Sequence, residues 1–368
     1  MYSYTQVSPP CPVTAVDTGT PSAFCTSRRV EALTFSLVRA SASNGLPTSR
    51  EAHAVSPVVS AIKTSRRLSM IRSRTSVALA LLALAGCGLL SGGPRPKDLA
   101  PGGETVISFT TKESVQLTGA LELPRGEAPV PGIVMMHDCQ GPLSSVIRGW
   151  QTALVTWGYA TLLVDGFASR TVTNACETAD KLWPAERVPD AYAALLALAR
   201  HPRIAAGRIA LMGWGDGATT ALRSASSAVA QKYAGAGGPR FRGVIAVYPA
   251  CRVLQPDVAA APDFSQLASP VRIYVGELDD WAPPQACETL VARLKQSGQD
   301  ADLTVFPGAR HLFDSVGRAA DELLTVDNYG GDRYRKGARV EWSPEATREA
   351  RARVREQLEH LLGAPAPR

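Results

Sequence analysis

The chain has 368 residues, 45% hydrophobic and 20% charged, an ordinary globular composition with room for one large α/β domain or two small ones. Its formal charge of +6 sits wholly in residues 1–86, which hold 9 Lys+Arg against 3 Asp+Glu; residues 87–368 hold 30 of each and are neutral. A neutral body without a basic stripe excludes nucleic acid as a partner on charge grounds.

Residues 1–69 are rich in Ser, Thr, Ala, Val and Pro and show no sustained helical or strand period. The pattern changes at Met70. Arg72 and Arg74 make a short basic segment, residues 77–85 are unbroken apolar, and the run closes on Leu84-Ala85-Gly86-Cys87. A basic start, a short apolar core and a small-residue cleavage site predict a secretory signal peptide over 70–86. Nine apolar residues fall far short of the roughly 20 that span a bilayer. Leu-Ala-Gly-Cys resembles the lipobox of bacterial lipoproteins, which implies that the Cys87 thiol is lipidated and becomes the mature N-terminus. Each buried CH₂ of an acyl chain contributes about 0.8 kcal/mol, so several chains anchor a protein at a membrane. A signal peptide is read at a true N-terminus, so translation is expected to start at Met70, with 1–69 untranslated or a disordered upstream segment. Residues 87–103, dense in Gly and Pro, predict a flexible tether. The expected location is the bacterial cell envelope, with the folded domain in the periplasm or outside the cell.

One domain is expected over 104–364. Residues 106–110 and 115–123 alternate and are β-branched, which predicts two antiparallel strands. Residues 132–136, 160–164, 208–212, 244–248, 271–275 and 303–306 are short apolar runs expected for buried strands. Between them, 150–157, 186–199, 218–230 and 284–296 suit helices, and 344–362 suits a terminal helix rich in Arg and Glu. This alternation predicts an α/β fold with a mostly parallel central sheet and helices on both faces. Ligands bind such sheets beyond the carboxyl ends of the strands, so the residues after each strand are the ones to inspect.

Those residues are His137-Asp138-Cys139-Gln140-Gly141, then Asp165 to Arg170, Gly213-Trp214-Gly215-Asp216-Gly217, Gly276-Glu277-Leu278-Asp279-Asp280-Trp281-Ala282-Pro283, and Arg310-His311-Leu312-Phe313-Asp314. Oxyanion loop, elbow, acid loop and histidine loop follow in the chain order of α/β-hydrolases. Taken together, the loops resemble the dienelactone hydrolase family, in particular its exported bacterial members, over about 115–362.

The resemblance implies an ester or lactone hydrolase without a cofactor, with His311 as catalytic base and Asp279 as the acid that holds its tautomer. Asp280 is the weaker candidate for the acid. The elbow pattern places Gly215 where the family carries Ser or Cys, so the nucleophile position is vacant. A register shifted by one would make Asp216 the nucleophile and put the bulky Trp214 at a position that needs a small residue. The backbone N–H groups of Cys139 and Asp216 are expected to form the oxyanion hole, which survives side-chain changes. Arg170 resembles an arginine that family members use near a substrate carboxylate, and His137 is expected to order its loop. The Cys139 side chain, as a substitute nucleophile, has no positioned base.

Cys139, Cys176, Cys251 and Cys287 remain after processing, an even count that in an exported chain favours disulfides. Of the three pairings, Cys139–Cys176 with Cys251–Cys287 is expected, because each joins neighbouring loops at one sheet end. No close Cys/His spacing suggests a metal. Residues 314–343, containing Tyr329-Gly330-Gly331-Asp332, are an insertion that is either a lid or a surface loop. The expected function is binding or hydrolysis of a small ester, lactone or carboxylate at a membrane-anchored domain, with catalysis impaired at Gly215. The alternative is a non-catalytic envelope lipoprotein that binds a small ligand or a partner protein.

Overall fold

A computed structural model describes residues 101–176, 182–258, 261–327 and 336–365. The expected upstream segment, the signal peptide, Cys87, most of the tether and Tyr329-Gly330-Gly331-Asp332 lie outside the described residues. The chain begins with β1 (Pro101–Thr110) and β2 (Gln116–Pro124), antiparallel partners in the register Ile107↔Gly119. β1 thus starts inside the stretch expected as tether. There follow β3 (Val130–Met136), α1 (Ser145–Thr156), β4 (Ala160–Asp165), α2 (Val188–Ala199), β5 (Ile204–Trp214), α3 (Asp216–Ser224), α4 (Ser227–Ala234) and β6 (Val244–Val247). The chain continues with β7 (Val271–Gly276), α5 (Pro284–Gln296), β8 (Ala301–Phe306), β9 (Glu322–Asp327), β10 (Lys336–Val340) and α6 (Pro344–Leu362).

Eight of these strands form one sheet in the order β1-β2-β4-β3-β5-β6-β7-β8. From β4 to β8 all neighbours are parallel, and β2 joins β4 antiparallel. The expected fold class is therefore observed. Alternation along the strands divides the core into two layers. Val134, Met136, Ile209 and Leu211 face the layer built with α2 to α5. Ile133, Met135, Ala210, Met212 and Trp214 face the layer built with α1 and α6. Strands with both faces covered read as continuous apolar runs for this reason, and all seven residues of β3 are buried.

Three readings change. The helix expected over 218–230 is two helices, α3 and α4, broken at Ser226, which forms an isolated bridge to Leu267 and donates its hydroxyl to the Asp263 carbonyl. The helix expected from 150 starts at Ser145, a full turn earlier. The insertion over 314–343 carries a two-stranded antiparallel sheet, β9 with β10. It packs against the main body: Val326, Ala338 and Val340 join the α1/α6 layer, and Val340 bridges to the backbone of His311.

Candidate active site

The bend after β5 is Gly213-Trp214-Gly215-Asp216-Gly217, and its apex is Gly215, with φ 52° and ψ −116°. The flanking glycines exist because the turn is tight. A Cβ on Gly213 would lie 2.2 Å from the Gly217 carbonyl oxygen, and one on Gly217 would lie 2.1 Å from the Met136 carbonyl oxygen. Gly215 differs: a Cβ there would meet only Asp138 Cβ, at 3.5 Å, an ordinary contact. The fold therefore leaves space for a side chain at the apex. The apex backbone is pinned by its N–H to the Val247 carbonyl at 3.0 Å and by Thr219, whose hydroxyl donates to the Gly215 carbonyl at 3.1 Å. Asp216 is the first residue of α3, so its N–H belongs to the outward-facing first turn.

Opposite the bend, Asp279 Oδ2 accepts a hydrogen bond from His311 Nδ1 at 2.7 Å, and both residues are buried. The carboxylate is fixed through Oδ1, which accepts the N–H groups of Trp281 at 3.0 Å and Ala282 at 2.8 Å. With Nδ1 donating to that carboxylate, Nε2 is the ring nitrogen left to accept a proton. Asp280 does different work: its Oδ1 accepts the N–H of Arg339 in β10 at 2.9 Å and so ties the insertion to the acid loop. The tight approach of the acid and histidine loops needs Gly276, where a Cβ would lie 2.4 Å from the Ala309 carbonyl oxygen.

The imidazole is clamped between Tyr248 and Trp281, with ring centroids 4.5 and 4.6 Å away. Tyr248 donates its hydroxyl to Asp314 Oδ1 at 3.0 Å, and Asp314 Oδ2 accepts from Trp150 Nε1 at 2.7 Å. Burial pushes the Asp314 carboxyl up from its ordinary value and, with neighbouring carboxylates, holds the Tyr248 phenol well above its own. Tyr248 and Leu312 both adopt positive φ, 43° and 57°. Such strain in residues with side chains gathers where the surrounding structure holds a site in shape.

Gly215, Asp216, Asp138, Cys139, Tyr248 and His311 line a cavity of about 20 Å³, room for one water molecule. A wider groove of about 430 Å³ shares Ala250 and Ala282 with it and extends past Arg252 and Gln255. That volume lies in the range of small-molecule sites. Asp138 is 2% exposed; burial lifts its carboxyl to about 7. His137 Nδ1 donates to the Asp138 carbonyl at 2.7 Å and Nε2 accepts the Gly166 N–H at 3.4 Å, and burial keeps the ring neutral. It orders two loops, the oxyanion loop and the one after β4.

The structure thus brings His311, Asp279, Gly215, Asp216 and Cys139 together. Arg170 is elsewhere: both its terminal nitrogens donate to the Asp190 carboxylate at 2.8 Å, and one also to the Gly166 carbonyl. Its guanidinium is consumed by a buried carboxylate and does not line the cavity. Disulfides join Cys139 to Cys176 and Cys251 to Cys287, the pairing expected from the sequence. Asp138, Tyr248, Trp281 and Asp314 received no role from the sequence. Asp138 could have been found as an acid in a loop after a buried strand; the aromatic clamp leaves no local signal. Among the described residues, no cluster of His, Cys, Asp or Glu is fit for a metal, and no helix is long and apolar enough to cross a membrane.

The pattern that defines the Dienelactone hydrolase family matches residues 117–360. A Bradyrhizobium protein described as a probable 2-oxo-3-(5-oxofuran-2-ylidene)propanoate lactonase is 23% identical over 225 residues, 59% of this chain and 82% of that protein. Esterase 2 of Thermogutta terrifontis, solved after phosphoramylation by tabun, superposes with a TM-score of 0.51 at 15% identity, covering 73% of this chain and 97% of its own. A structure assigned as a dienelactone hydrolase from Klebsiella pneumoniae gives 0.50 at 17% identity, covering 69% and 98%. At these identities the solved structures speak for the fold alone.

Proposed function

Because this chain belongs to the dienelactone hydrolase family, we propose that it is an envelope lipoprotein, anchored through Cys87, whose cavity takes a small ester, lactone or carboxylate and whose covalent chemistry is disabled at Gly215. One observation carries this reading: the Asp279–His311 pair is assembled at 2.7 Å opposite a bend that offers no side chain. In a hydrolase of this plan the imidazole takes the nucleophile's proton and backbone N–H groups hold the oxyanion. Here the base, its orienting acid and the backbone of Cys139 and Asp216 remain, and the attacking oxygen is missing. In subtilisin, loss of the serine costs about 10⁶-fold in kcat. The two disulfides support export, because such bonds persist in oxidising compartments. The groove past Ala250 and Ala282 offers room for the part of a ligand beyond the reacting carbonyl.

Purified protein and Gly215→Ser are to be assayed side by side with 4-nitrophenyl acetate and a dienelactone. Turnover at least about 1,000-fold faster in the variant is expected from the cost of a missing nucleophile. Inactivity of both proteins would sink the ester-site reading. A non-catalytic role, binding a small ligand or a partner protein, is favoured by the same bare apex, and it gains if only the variant turns over. The anchor is tested separately, by metabolic labelling with an alkynyl fatty acid in a bacterial host; the label should vanish in Cys87→Ser.

A further inference from the structure

We propose that Asp138 is the general base of a non-covalent ester or lactone hydrolysis in this chain, removing a proton from a water held beside Gly215. This rests on reading the cavity as an ester site. Asp138 lines that cavity, and its Oδ1 accepts the Gln140 N–H at 2.8 Å. Its Oδ2 is buried and bonded to nothing. A buried carboxylate oxygen without a donor is rare and calls for a partner. Its Cβ stands 3.5 Å from the place a Gly215 side chain would begin, with the carboxylate oxygens more than 4 Å from that point, so Asp138 borders the space where the fold expects an attacking group and leaves a gap between that point and its carboxylate. His311 lines the same cavity and presents Nε2 as an acceptor, because Nδ1 is bound to Asp279.

A water in this space donates one hydrogen to Asp138 Oδ2 and the other to His311 Nε2. Its lone pair is then left for a carbonyl carbon. As the water oxygen bonds to that carbon, the proton passes to Asp138 and the carbonyl π pair moves to its oxygen, beside the N–H groups of Cys139 and Asp216. When the oxyanion collapses, the acyl–oxygen bond breaks with its pair on the leaving alkoxide, which takes the proton back from Asp138. An ester yields acid and alcohol, a lactone yields one hydroxy acid, and Asp138 ends as a carboxylate.

The surroundings suit a base near neutrality. Burial lifts the Asp138 carboxyl to about 7, and Asp216 on α3 and Asp314 in the histidine loop add to the rise. His311 and the Gln140 N–H oppose it. Arg187, in the turn before α2, and Tyr248, after β6, also feel the charge of Asp138, and His137 Nδ1 donates to its carbonyl at 2.7 Å. A base whose strength matches the working pH transfers protons most effectively.

The natural protein, Asp138→Asn and Gly215→Ser are to be compared with 4-nitrophenyl acetate from pH 5 to 9, with thermal unfolding as the check on folding. Single turnovers in ¹⁸O-water, followed by mass spectrometry of the peptide holding Asp138, separate a base from a nucleophile. Hydrolysis by the natural protein above the buffer blank, rising through an ionisation near 7, is expected. It should fall about 100-fold in Asp138→Asn, the scale of general-base catalysis, with no ¹⁸O in the peptide. If Asp138→Asn does not fold, the pH profile and the label still decide on the unmodified chain. No turnover above the blank, a rate unchanged in a folded Asp138→Asn, or ¹⁸O on Asp138 would each overturn the base. Activity confined to Gly215→Ser removes Asp138 from the chemistry and leaves the ester site standing; inactivity of both removes the site as well.

Discussion

At Gly215 the backbone holds φ 52° and ψ −116°, where any residue with a side chain is strained. Space is available there, so the cost of filling it is conformational: Gly215→Ala should lose about 1–3 kcal/mol, measured by urea unfolding. Asp138 sets a second, pH-dependent expectation. Its folded carboxyl sits at about 7, while an unfolded one sits at about 3.9. The folded state therefore binds more protons between these values, and stability falls as pH rises through that window. The span is worth on the order of 4 kcal/mol, so Asp138→Asn should be more stable than the natural protein at pH 8 and equal to it at pH 4. Equal melting temperatures at pH 8 would contradict this. Arg170 belongs to the same scale. Its partner Asp190 is fully buried, so Arg170→Met strands a carboxylate and should cost about 3–5 kcal/mol in a denaturant titration. The sequence marks Arg170 as a charged residue in a loop after a strand, but not that a carboxylate 20 positions later claims it.

The loops that carry the site are legible because each follows an apolar strand whose period and length survive in the sequence. The tight elbow is legible too, since only glycine tolerates the contacts at 213 and 217. Gly217→Ala drives a Cβ to 2.1 Å from a backbone oxygen and should fail to give soluble folded protein, in contrast to Gly215→Ala. Gly276→Ala forces apart the acid and histidine loops; in an active Gly215→Ser background it should reduce kcat by about 100-fold, the usual loss for misplaced reacting groups. Where sequence reading stops, the deciding contact is distant. Nothing in the alanine-rich run 218–230 forbids a single helix, yet Ser226 leaves it to bridge Leu267. Tyr248 reads as the last residue of a strand, and its φ of 43° instead ends β6 at Val247 and turns the ring onto His311. The β9–β10 pair is held by contacts to the body, with Asp280 and His311 as its anchors.

Over the whole molecule, two cross-links close loops of 37 and 36 residues. Each should contribute about 2–4 kcal/mol, so the double variant Cys251→Ser/Cys287→Ser should unfold at a clearly lower urea concentration than the natural chain. The first link has a further effect. Cys139 gives its sulfur to Cys176, its carbonyl to the Ala175 N–H, and its backbone to the wall of the cavity. Oxidation of the two thiols thus acts beside the cavity: hydrogen bonds such as those of His137 and Ala175 already hold that loop, and joining the sulfurs adds a covalent brace to the same wall.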